Sequence, residues 1–250
     1  MKDESGGCSL TLHPSSFILL MRHRIFVDSL TPQVVVEGAE FHHSIRVVRA
    51  RVGEEVEMFD RAGNALRGVV ESIERDRAII RTGESLPSRE SPLALHLAMA
   101  VIQLEKFELV LQKATELGVK TFIPLVTERV ELRPERYSGK MDRWNKIIFE
   151  AVKQCGRAMV PKIEAPATFD EVITRSGTKI LFDADAEAHR VHALQEATIL
   201  IGPEGGWSED ELRRAREHEA FIERLGPRRL RAETAAIAAL SVLASRFGDL

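Results

Sequence analysis

Short alternations of apolar and polar residues dominate the first third of the chain. Four such segments, RIFV, EVEMFD, LRGVVESIE and RAIIRTG, lie between residues 24 and 83 and are separated by turn residues such as Gly53 and Asp76. Segments of this length and period, bounded by glycine and aspartate, are typical of β-strands. The pattern therefore predicts a small β-rich module, closed or nearly so, over about residues 24–81.

The pattern changes at the segment GESLPSRESP, which is rich in Ser, Pro and Gly and has no apolar period; we interpret residues 83–90 as a linker. Beyond it, apolar strand-like runs alternate with amphipathic helical segments. These include Lys106–Leu117 and a long segment over about residues 136–154, which Gly156 is expected to cap. The alternation predicts an α/β domain over residues 91–250, with a mostly parallel sheet and helices on both faces.

Two glycine turns follow strand-like segments near the carboxyl end of the chain. The first strand, Thr198–Ile201, runs into Gly202-Pro203 and then Gly205-Gly206, and the second, Phe221–Leu225, runs into Gly226-Pro227. Glycines leave the backbone N–H and C=O groups open to a ligand. Because parallel strands end at the same edge of a sheet, the two turns are predicted to form one crevice.

Neither turn has the spacing of a common nucleotide-binding motif. The patterns G-x-G-x-x-G and G-x-x-x-x-G-K-[ST] are absent, which disfavours a Rossmann dehydrogenase and a P-loop enzyme. Ser208 and Glu211 have the spacing of a capping box, so the carboxylates of residues 209–211 are interpreted as helix-start residues. Glu204 lies before that cap and has no such structural explanation.

Composition restricts the possible partners. The chain has 250 residues, 44% of them apolar, and a formal net charge of -3, so a nucleic-acid partner must meet a local basic surface. Seven arginines stand against three glutamates between Arg213 and Arg231. Arg46, Arg49 and Arg51 lie in an amphipathic segment that begins at His42. For that segment, phosphate binding and ordinary ion pairing with neighbouring glutamates explain the charges equally well.

Features of metal, disulfide-rich or membrane proteins are lacking. The two cysteines, Cys8 and Cys155, form no C-x-x-C pair, and neither His42-His43 nor His189-x-x-His192 has a third ligand at a recognisable spacing. We therefore predict no metal site. The apolar run FILLM is too short for a membrane span or a signal-peptide core, so we expect a cytoplasmic protein without a membrane partner.

The segments IGPEGGWSEDE and LGPRRLRAETAAIAAL resemble the two signature motifs of the ribosomal RNA small subunit methyltransferase E family. The resemblance extends to KFELVLQKATELGV, to QCGR and the following Pro161, and to MRHRIFVD with HHSIRVVRARVG. Several separated motifs in one order are a far more specific signal than a single glycine turn. Since MRHRIFVD resembles the usual start of the family, Met21 is a candidate initiator beside Met1, and residues 1–20 are interpreted as a disordered or misassigned extension.

The resemblance implies a knotted α/β methyltransferase domain of the SPOUT class, with a trefoil knot, over residues 91–250, and a small PUA-like β-barrel domain over residues 21–82. It implies S-adenosylmethionine as cofactor, N3 of a uridine in 16S rRNA on the small ribosomal subunit as substrate, and a homodimer. The cofactor-binding candidates, all at the two turns, are Ile201, Gly202, Glu204, Gly205, Leu225, Gly226 and Leu230. The RNA-binding candidates are Arg22, Arg24, His42, Arg46, Arg49 and Lys106.

Methylation at N3 of uridine requires loss of the N3–H proton. In water, N3 keeps this proton until the pH is well above neutral. The site therefore needs positive charge near the uracil carbonyls and a carboxylate base. We expect Arg231 and Arg157 to supply the charge, and Glu233, with Glu204 as its substitute, to take the proton. The family commonly has threonine at the position of Ala232. Loss of the threonine hydroxyl would weaken a helix N-cap by ~1 kcal/mol. It also puts in doubt any catalytic role of a hydroxyl at this position.

Two other functions stay open on the sequence. Cys155 could attack C6 of a pyrimidine and permit methylation at C5, although a lone thiol at a helix end is more often buried filler. A catalytically silent RNA-binding or ribosome-assembly factor would keep the PUA-like module and the basic segment without turnover.

Overall fold

The computed structural model describes residues 23–186 and 191–250. The predicted extension over residues 1–20, the candidate start at Met21, and the candidates Arg22 and His189 lie outside the described residues.

The amino-terminal domain is built on one curled, five-stranded sheet. Its elements in chain order are β1 (Arg24–Phe26), β2 (Gln33–Glu37), α1 (Gly38–Phe41), a π-helical turn (His42–Val47), β3 (Glu55–Phe59), β4 (Ala65–Ile73) and β5 (Arg77–Ser85). The strand order is β1-β3-β4-β5-β2, with β1 parallel to β3 and the remaining pairs antiparallel. The structure confirms the predicted β-rich module.

Strand β2 was not among the predicted strands. Its burial alternates strictly, with Val34 and Val36 inside and Val35 51% exposed, as expected for a strand with one buried face. The inward valines join Ile25, Met58 and Ile80 in the core of this domain. Its three consecutive valines hide the alternation of buried and exposed positions in the sequence.

The connection between the domains differs from the predicted linker. Strand β5 continues to Ser85, and Arg89 and Glu90 beyond it are held by ion pairs. Arg89 pairs with Glu57 of β3 at 3.2 Å, and Glu90 pairs with Arg157 at 2.7 Å. Composition alone suggested a flexible segment, but these long-range contacts fix it.

The second domain is an α/β domain. Its elements are β6 (Ala94–Ala100), α2 (Leu104–Glu116), β7 (Thr121–Val126), two 3-10 turns (Pro134–Arg136 and Ser138–Lys140), α3 (Met141–Cys155), β8 (Lys162–Ile163), β9 (Ala167–Thr168), α4 (Phe169–Ile173), β10 (Lys179–Phe182), β11 (Glu196–Ile201), α5 (Glu209–Glu217), β12 (Phe221–Glu223) and α6 (Ala232–Phe247). The sheet has the order β12-β10-β11-β6-β7-β8, and β9 also pairs with β7. Each pairing in this sheet is parallel.

Helices cover both faces of this sheet, as predicted. In β6, Leu97 and Met99 face a core shared with α2, α3 and α6, whereas Ala98 faces a second core shared with α4 and α5. Adjacent residues of a strand point to opposite faces, so a strand buried on both sides reads as one continuous apolar run. No helix within residues 23–186 and 191–250 is long and apolar enough to cross a bilayer.

The helix ends are partly as predicted. Helix α3 begins at Met141 instead of near residue 136, because 3-10 turns occupy the preceding segment, and it ends at Gly156, whose φ of 90° confirms the predicted cap. The expectation that position 232 is the N-cap of α6 is wrong. The N-cap is Arg231, and Ala232 is the first helical residue, 7% exposed, so a hydroxyl there would not occupy the capping position.

Candidate active-site cleft

A cleft of about 970 Å³ opens at the carboxyl edge of the parallel sheet. It is lined by the turns that follow β10, β11 and β12, and by the start of α6. Strand β10 lies between β11 and β12, and the three strands are parallel, so their carboxyl ends meet in one place. The predicted crevice between the two glycine turns is present, and the end of β10 adds a third wall that the sequence did not indicate.

The predicted cofactor-binding residues all line this cleft. They are Ile201, Gly202, Glu204, Gly205, Leu225, Gly226 and Leu230. The glycine turn has a buried inner end at Ile201 and Gly202 and an exposed outer end at Glu204 and Gly205. The cleft therefore has an apolar floor and a polar rim.

Trp207 forms a wall of the cleft that the sequence reasoning missed. Its side chain is 5% exposed, its ring lies 5.5 Å from the ring of Phe169, and its Nε1 donates a hydrogen bond of 2.9 Å to the carbonyl of Phe182. A Cβ atom at Gly202 would lie 3.0 Å from the indole. Glycine at position 202 therefore allows the turn after β11 to approach the indole closely. The position of Trp207, directly between the glycine turn and the helix cap, was the available signal.

The predicted capping box at the start of α5 is confirmed. The amide of Glu211 donates to Ser208 Oγ at 3.1 Å, and Glu211 Oε2 accepts from the amide of Ser208 at 2.9 Å. Glu211 has a second role that the spacing did not reveal. Its carboxylate is 1% exposed, and Oε1 accepts from the amide of Glu128 at 2.9 Å, which ties the loop after β7 to the start of α5.

Positive charge is in excess around the cleft. Its lining carries six arginines and four carboxylates: Arg129, Arg216, Arg224, Arg228, Arg229 and Arg231, with Asp183, Asp185, Glu204 and Glu209. Among these arginines only Arg229 forms an ion pair with a described residue, at 2.9 Å from Asp185. The other five have no carboxylate partner among the described residues, which suits them to bind an anionic ligand.

Two of the four catalytic candidates line the cleft and two do not. Arg231 and Glu204 line the cleft. Glu233, in the first turn of α6, is absent from the lining; its Oε1 lies 4.0 Å from Lys106 Nζ, and its buried Oε2 has no hydrogen-bond partner among the described residues. Lys106, predicted to contact RNA, therefore faces this carboxylate.

Arg157 lies outside the cleft, contrary to the position that a catalytic role requires. It is 3% exposed, its Nε and Nη2 donate to Glu90, and its Nη1 donates to the carbonyls of Thr115 and Val119 at 2.9 and 2.8 Å. Its donors are occupied by the linker and by the end of α2. The guanidinium stabilises the junction of the two domains.

Arg24 is buried in the same junction, so its side chain cannot contact phosphate in this conformation. Its Nη1 donates to the carbonyls of Val152 and Arg157, both at 2.9 Å, and its Nε lies 3.3 Å from Glu57. Only 9% of the side chain is exposed, and burial lowers the pKa of this guanidinium. From the neighbouring sequence alone, Arg24 is expected to be a surface charge. It is buried only because α3 packs against the sheet.

The other candidates for RNA contact are exposed in and beside the π-helical turn. His42, Arg46 and Arg49 all lie at the surface. Arg49 has a φ of 65°, a conformation that is uncommon for a residue with a side chain. The neighbouring Val47 and Val52 are both 59% exposed, so the surface combines positive charge with apolar groups.

Cys155 does not line the cleft. Its Sγ donates to the carbonyl of Val152 at 3.8 Å, and burial raises the pKa of the thiol. A protonated thiol away from the cleft does not favour the C5-methylation alternative. Within the described part of the chain, no three His, Cys, Asp or Glu residues are grouped as a metal site.

Comparisons with known proteins match two separate parts of the chain. A family described as an RNA methyltransferase domain matches residues 89–244, and one described as an RNA methyltransferase PUA domain matches residues 36–82. The chain is 31% identical to the ribosomal RNA small subunit methyltransferase E of Buchnera aphidicola, over 83% of this chain and 86% of the relative. It is 30% identical to that of Mycobacterium bovis, over 89% of this chain and 92% of the relative.

Solved structures share the fold over nearly the whole chain. The methyltransferase E of Neisseria gonorrhoeae, bound to S-adenosyl methionine, superposes with a TM-score of 0.83 at 27% identity, covering 92% of this chain and 99% of that one. A Legionella pneumophila protein in complex with the same cofactor gives 0.80 at 33% identity, with the same coverage. By its sequence, its two domains and its cleft, the chain belongs to the ribosomal RNA small subunit methyltransferase E family.

Proposed function

We propose that this protein transfers a methyl group from S-adenosylmethionine to N3 of a uridine in the 16S rRNA of the small ribosomal subunit. The observation that carries the proposal is the cleft at the ends of β11 and β12, where both family motifs meet beside six arginines, five of which have no ion pair within residues 23–186 and 191–250. The PUA domain supplies a second surface for RNA. Relatives with the same fold bind the same cofactor.

The residues of the cleft fit this cofactor. S-adenosylmethionine has no phosphate groups, so its adenosine needs apolar walls and open backbone groups. Leu225 and Leu230 supply apolar surface, and Gly202 and Gly205 supply open backbone. The volume of about 970 Å³ is at the upper end of small-molecule sites, which leaves space for a nucleobase. When bound, the cofactor supplies an electrophilic methyl group.

The chain's own residues would then prepare the nucleobase. Arg231, at the cleft, is suited to stabilise the negative charge that spreads onto O2 and O4 when N3 loses its proton. Glu204 is an exposed carboxylate of the same cleft and is our first choice for the proton acceptor. Glu233 is the alternative, because it lies two residues after Arg231 in the first turn of α6, although its carboxylate faces Lys106.

Single-turnover methyl transfer tests this assignment. Glu204→Gln should lower the rate at neutral pH by about 100-fold, the usual size of a general-base effect, and leave cofactor affinity unchanged. Raising the pH should partly restore the rate, because more N3 is then ionised without the base. Glu233→Gln is the matched variant. If only Glu233→Gln lowers the rate of methyl transfer, Glu233 is the proton acceptor.

The exposed surface of the π-helical turn supports RNA docking by the amino-terminal domain. Arg46 and Arg49 are exposed, and we expect them to contact phosphates. Each phosphate contact contributes about one unit to the slope of log affinity against log salt. Replacing both arginines by Met should weaken RNA binding, reduce that slope by about two, and leave cofactor affinity unchanged. An unchanged slope would identify them as ordinary surface charges.

Three further properties belong to the proposal through the resemblance to the family. They are a homodimer, a trefoil knot of the SPOUT class formed by the carboxyl-terminal segment that includes α6, and a cytoplasmic location. The small residues of α6 support close passage of this helix, since Ala236 and Ala239 are fully buried against the sheet and α2. Sedimentation of the purified protein tests the dimer.

Mass analysis of rRNA from a deletion strain tests the function as a whole. Loss of 3-methyluridine, restored by the wild-type gene, is the expected result. Loss of a C5-methylated pyrimidine would instead favour chemistry at Cys155. If the rRNA keeps all its methyl groups but assembly of the small subunit is altered, the result would favour a non-catalytic RNA-binding factor.

A further inference from the structure

The loop that follows β7 contacts both α5 and the glycine turn after β11. The amide of Glu128 donates to Glu211 Oε1 at 2.9 Å, beside the carboxyl end of that turn. Arg129 Nη1 donates to the carbonyl of Gly205 at 3.0 Å, within the turn. A Cβ atom at Gly205 would lie 3.4 Å from Arg129 Cβ, so the arginine stem lies directly over this glycine. Arg129 is thereby held at the cleft, although it lies 76 positions before Gly205 in the sequence.

The guanidinium of Arg129 has donors to spare. It makes one hydrogen bond, to Gly205, and no carboxylate among the described residues lies within ion-pair distance of it. A guanidinium carries five N–H donors. Arg157, by contrast, has its Nε, Nη1 and Nη2 donors engaged by Glu90 and by the carbonyls of Thr115 and Val119. Arg129 is exposed and lines the cleft, so its free donors are available to a ligand there.

The position of Arg129 favours the RNA substrate over the cofactor as that ligand. Its anchor, Gly205, is at the exposed outer end of the turn, whereas the inner end at Gly202 is buried. The substrate must enter from the outer side, because the floor of the cleft is closed by Ile201 and Trp207. A planar guanidinium is suited to an anionic oxygen, which every nucleotide of RNA provides in its phosphate and which an ionised uracil provides at O2 and O4.

We propose that Arg129 is a catalytic residue on the substrate side of the cleft, and that its guanidinium contacts an anionic oxygen of the target nucleotide. The bond to the carbonyl of Gly205 orients the guanidinium, and Glu211 positions the loop that carries it. The inference rests on the proposed function, because it requires an RNA nucleotide to enter this cleft. The oxygen belongs either to the uracil base or to the adjoining phosphate, and the two sources predict different kinetics.

The test compares Arg129→Met and Arg129→Lys with Arg133→Met, a control with the same loss of charge in the same loop but outside the cleft lining. Three quantities are measured for each protein: cofactor affinity by calorimetry, affinity for small-subunit RNA as a function of salt, and the single-turnover rate of methyl transfer. Arg129→Met should leave cofactor affinity within about twofold of wild type, whereas Arg133→Met should match wild type in all three measurements.

Contact with the uracil oxygen would lower the single-turnover rate of Arg129→Met by about 100-fold at saturating RNA, with little recovery in Arg129→Lys. Contact with the phosphate would weaken RNA binding, reduce the salt slope by about one, and allow Arg129→Lys to recover most of the affinity. Either result supports the proposal. Unchanged rate and RNA affinity, or a loss of cofactor affinity alone, would overturn it. A wild-type protein that transfers no methyl group would instead contradict the proposed function.

Discussion

At the scale of single residues, the cleft depends on the close approach of Gly202 to the indole of Trp207. The indole is fixed by its hydrogen bond to the carbonyl of Phe182 and by its contact with Phe169, so it has little freedom to withdraw. A Cβ atom at position 202 would lie 3.0 Å from the indole, so a larger side chain would have to displace this ring.

Gly202→Val should therefore lower cofactor affinity by about tenfold or more, equivalent to about 1.4 kcal/mol, in a protein that still folds. Calorimetric titration with S-adenosylmethionine measures the effect. Gly139→Val is a suitable control, because a Cβ atom there meets no other atom within 4 Å. Equal affinity in the folded Gly202→Val protein would remove this turn from the cofactor site.

Tyr137 gives a pH-dependent prediction at the same scale. The residue is 1% exposed, its hydroxyl has no hydrogen-bond partner among the described residues, and burial raises its pKa to about 12. The unfolded phenol ionises near pH 10, whereas the folded one keeps its proton to about pH 12. Stability from this group is thus complete below pH 10 and is lost as the pH rises through 12.

Tyr137→Phe should remove that alkaline loss. At pH 7 the free energy of unfolding should change little, because the deleted hydroxyl has no partner to lose. By pH 11 the variant should gain about 1.4 kcal/mol relative to wild type. Denaturant unfolding at the two pH values measures the difference, and a difference that is the same at both would show that the buried phenol does not titrate as described.

At the scale of elements, the two capping boxes offer a matched pair. Ser208 caps α5 directly after the glycine turn, and Thr168 caps α4 on the same face of the sheet. Both side chains accept a hydrogen bond from the amide three residues later. They therefore stabilise their helices by the same means, but only Ser208 directly follows the glycine turn of the cleft.

Ser208→Ala and Thr168→Ala should each lower the free energy of unfolding by about 1 kcal/mol. Only Ser208→Ala should also weaken cofactor binding, because Ser208 directly follows the glycine turn and Trp207. Chemical denaturation and calorimetry measure the two effects. Equal cofactor affinities in the two variants would indicate that the cap does not influence the turn.

At the scale of the whole molecule, charged side chains hold the two domains together. Arg89 and Glu90 of the connection pair with opposite domains, and Arg24 reaches from β1 to the carboxyl end of α3. Phe26 and Phe59 of the sheet also contact Phe149 of α3, at 5.2 and 6.3 Å between ring centroids. The surface of the π-helical turn is therefore held in a defined position relative to the cleft.

Arg157→Met tests whether Arg157 is structural or catalytic. Removal of one partner from a buried ion pair leaves the carboxylate of Glu90 without its cation and should cost about 3–5 kcal/mol of unfolding free energy. Arg143→Met, which breaks an ion pair whose arginine is 63% exposed, should cost less than about 1 kcal/mol. If Arg157→Met instead keeps wild-type stability and loses methyl transfer, the catalytic role expected from the sequence is correct.

The sequence by itself determined the α/β class, the parallel sheet and the cleft at the two glycine turns. These follow from local properties: the apolar periods of the strands and helices, the backbone freedom at Gly202 and Gly226, and the common edge at which parallel strands end. The capping box at Ser208 and the cap at Gly156 depend on residues a few positions apart, and they too were predictable.

The tertiary structure alone decided which charged residues belong to the cleft. Arg24 bonds to the carbonyl of a residue 133 positions away, and Arg129 to one 76 positions away, so neither contact leaves a trace in the local pattern. Glu233 stands next to a cleft residue in sequence, yet its carboxylate faces Lys106, because a helix directs successive side chains about 100° apart. Local periodicity determines that an element exists, whereas the direction of a long side chain depends on the surface that folds against it.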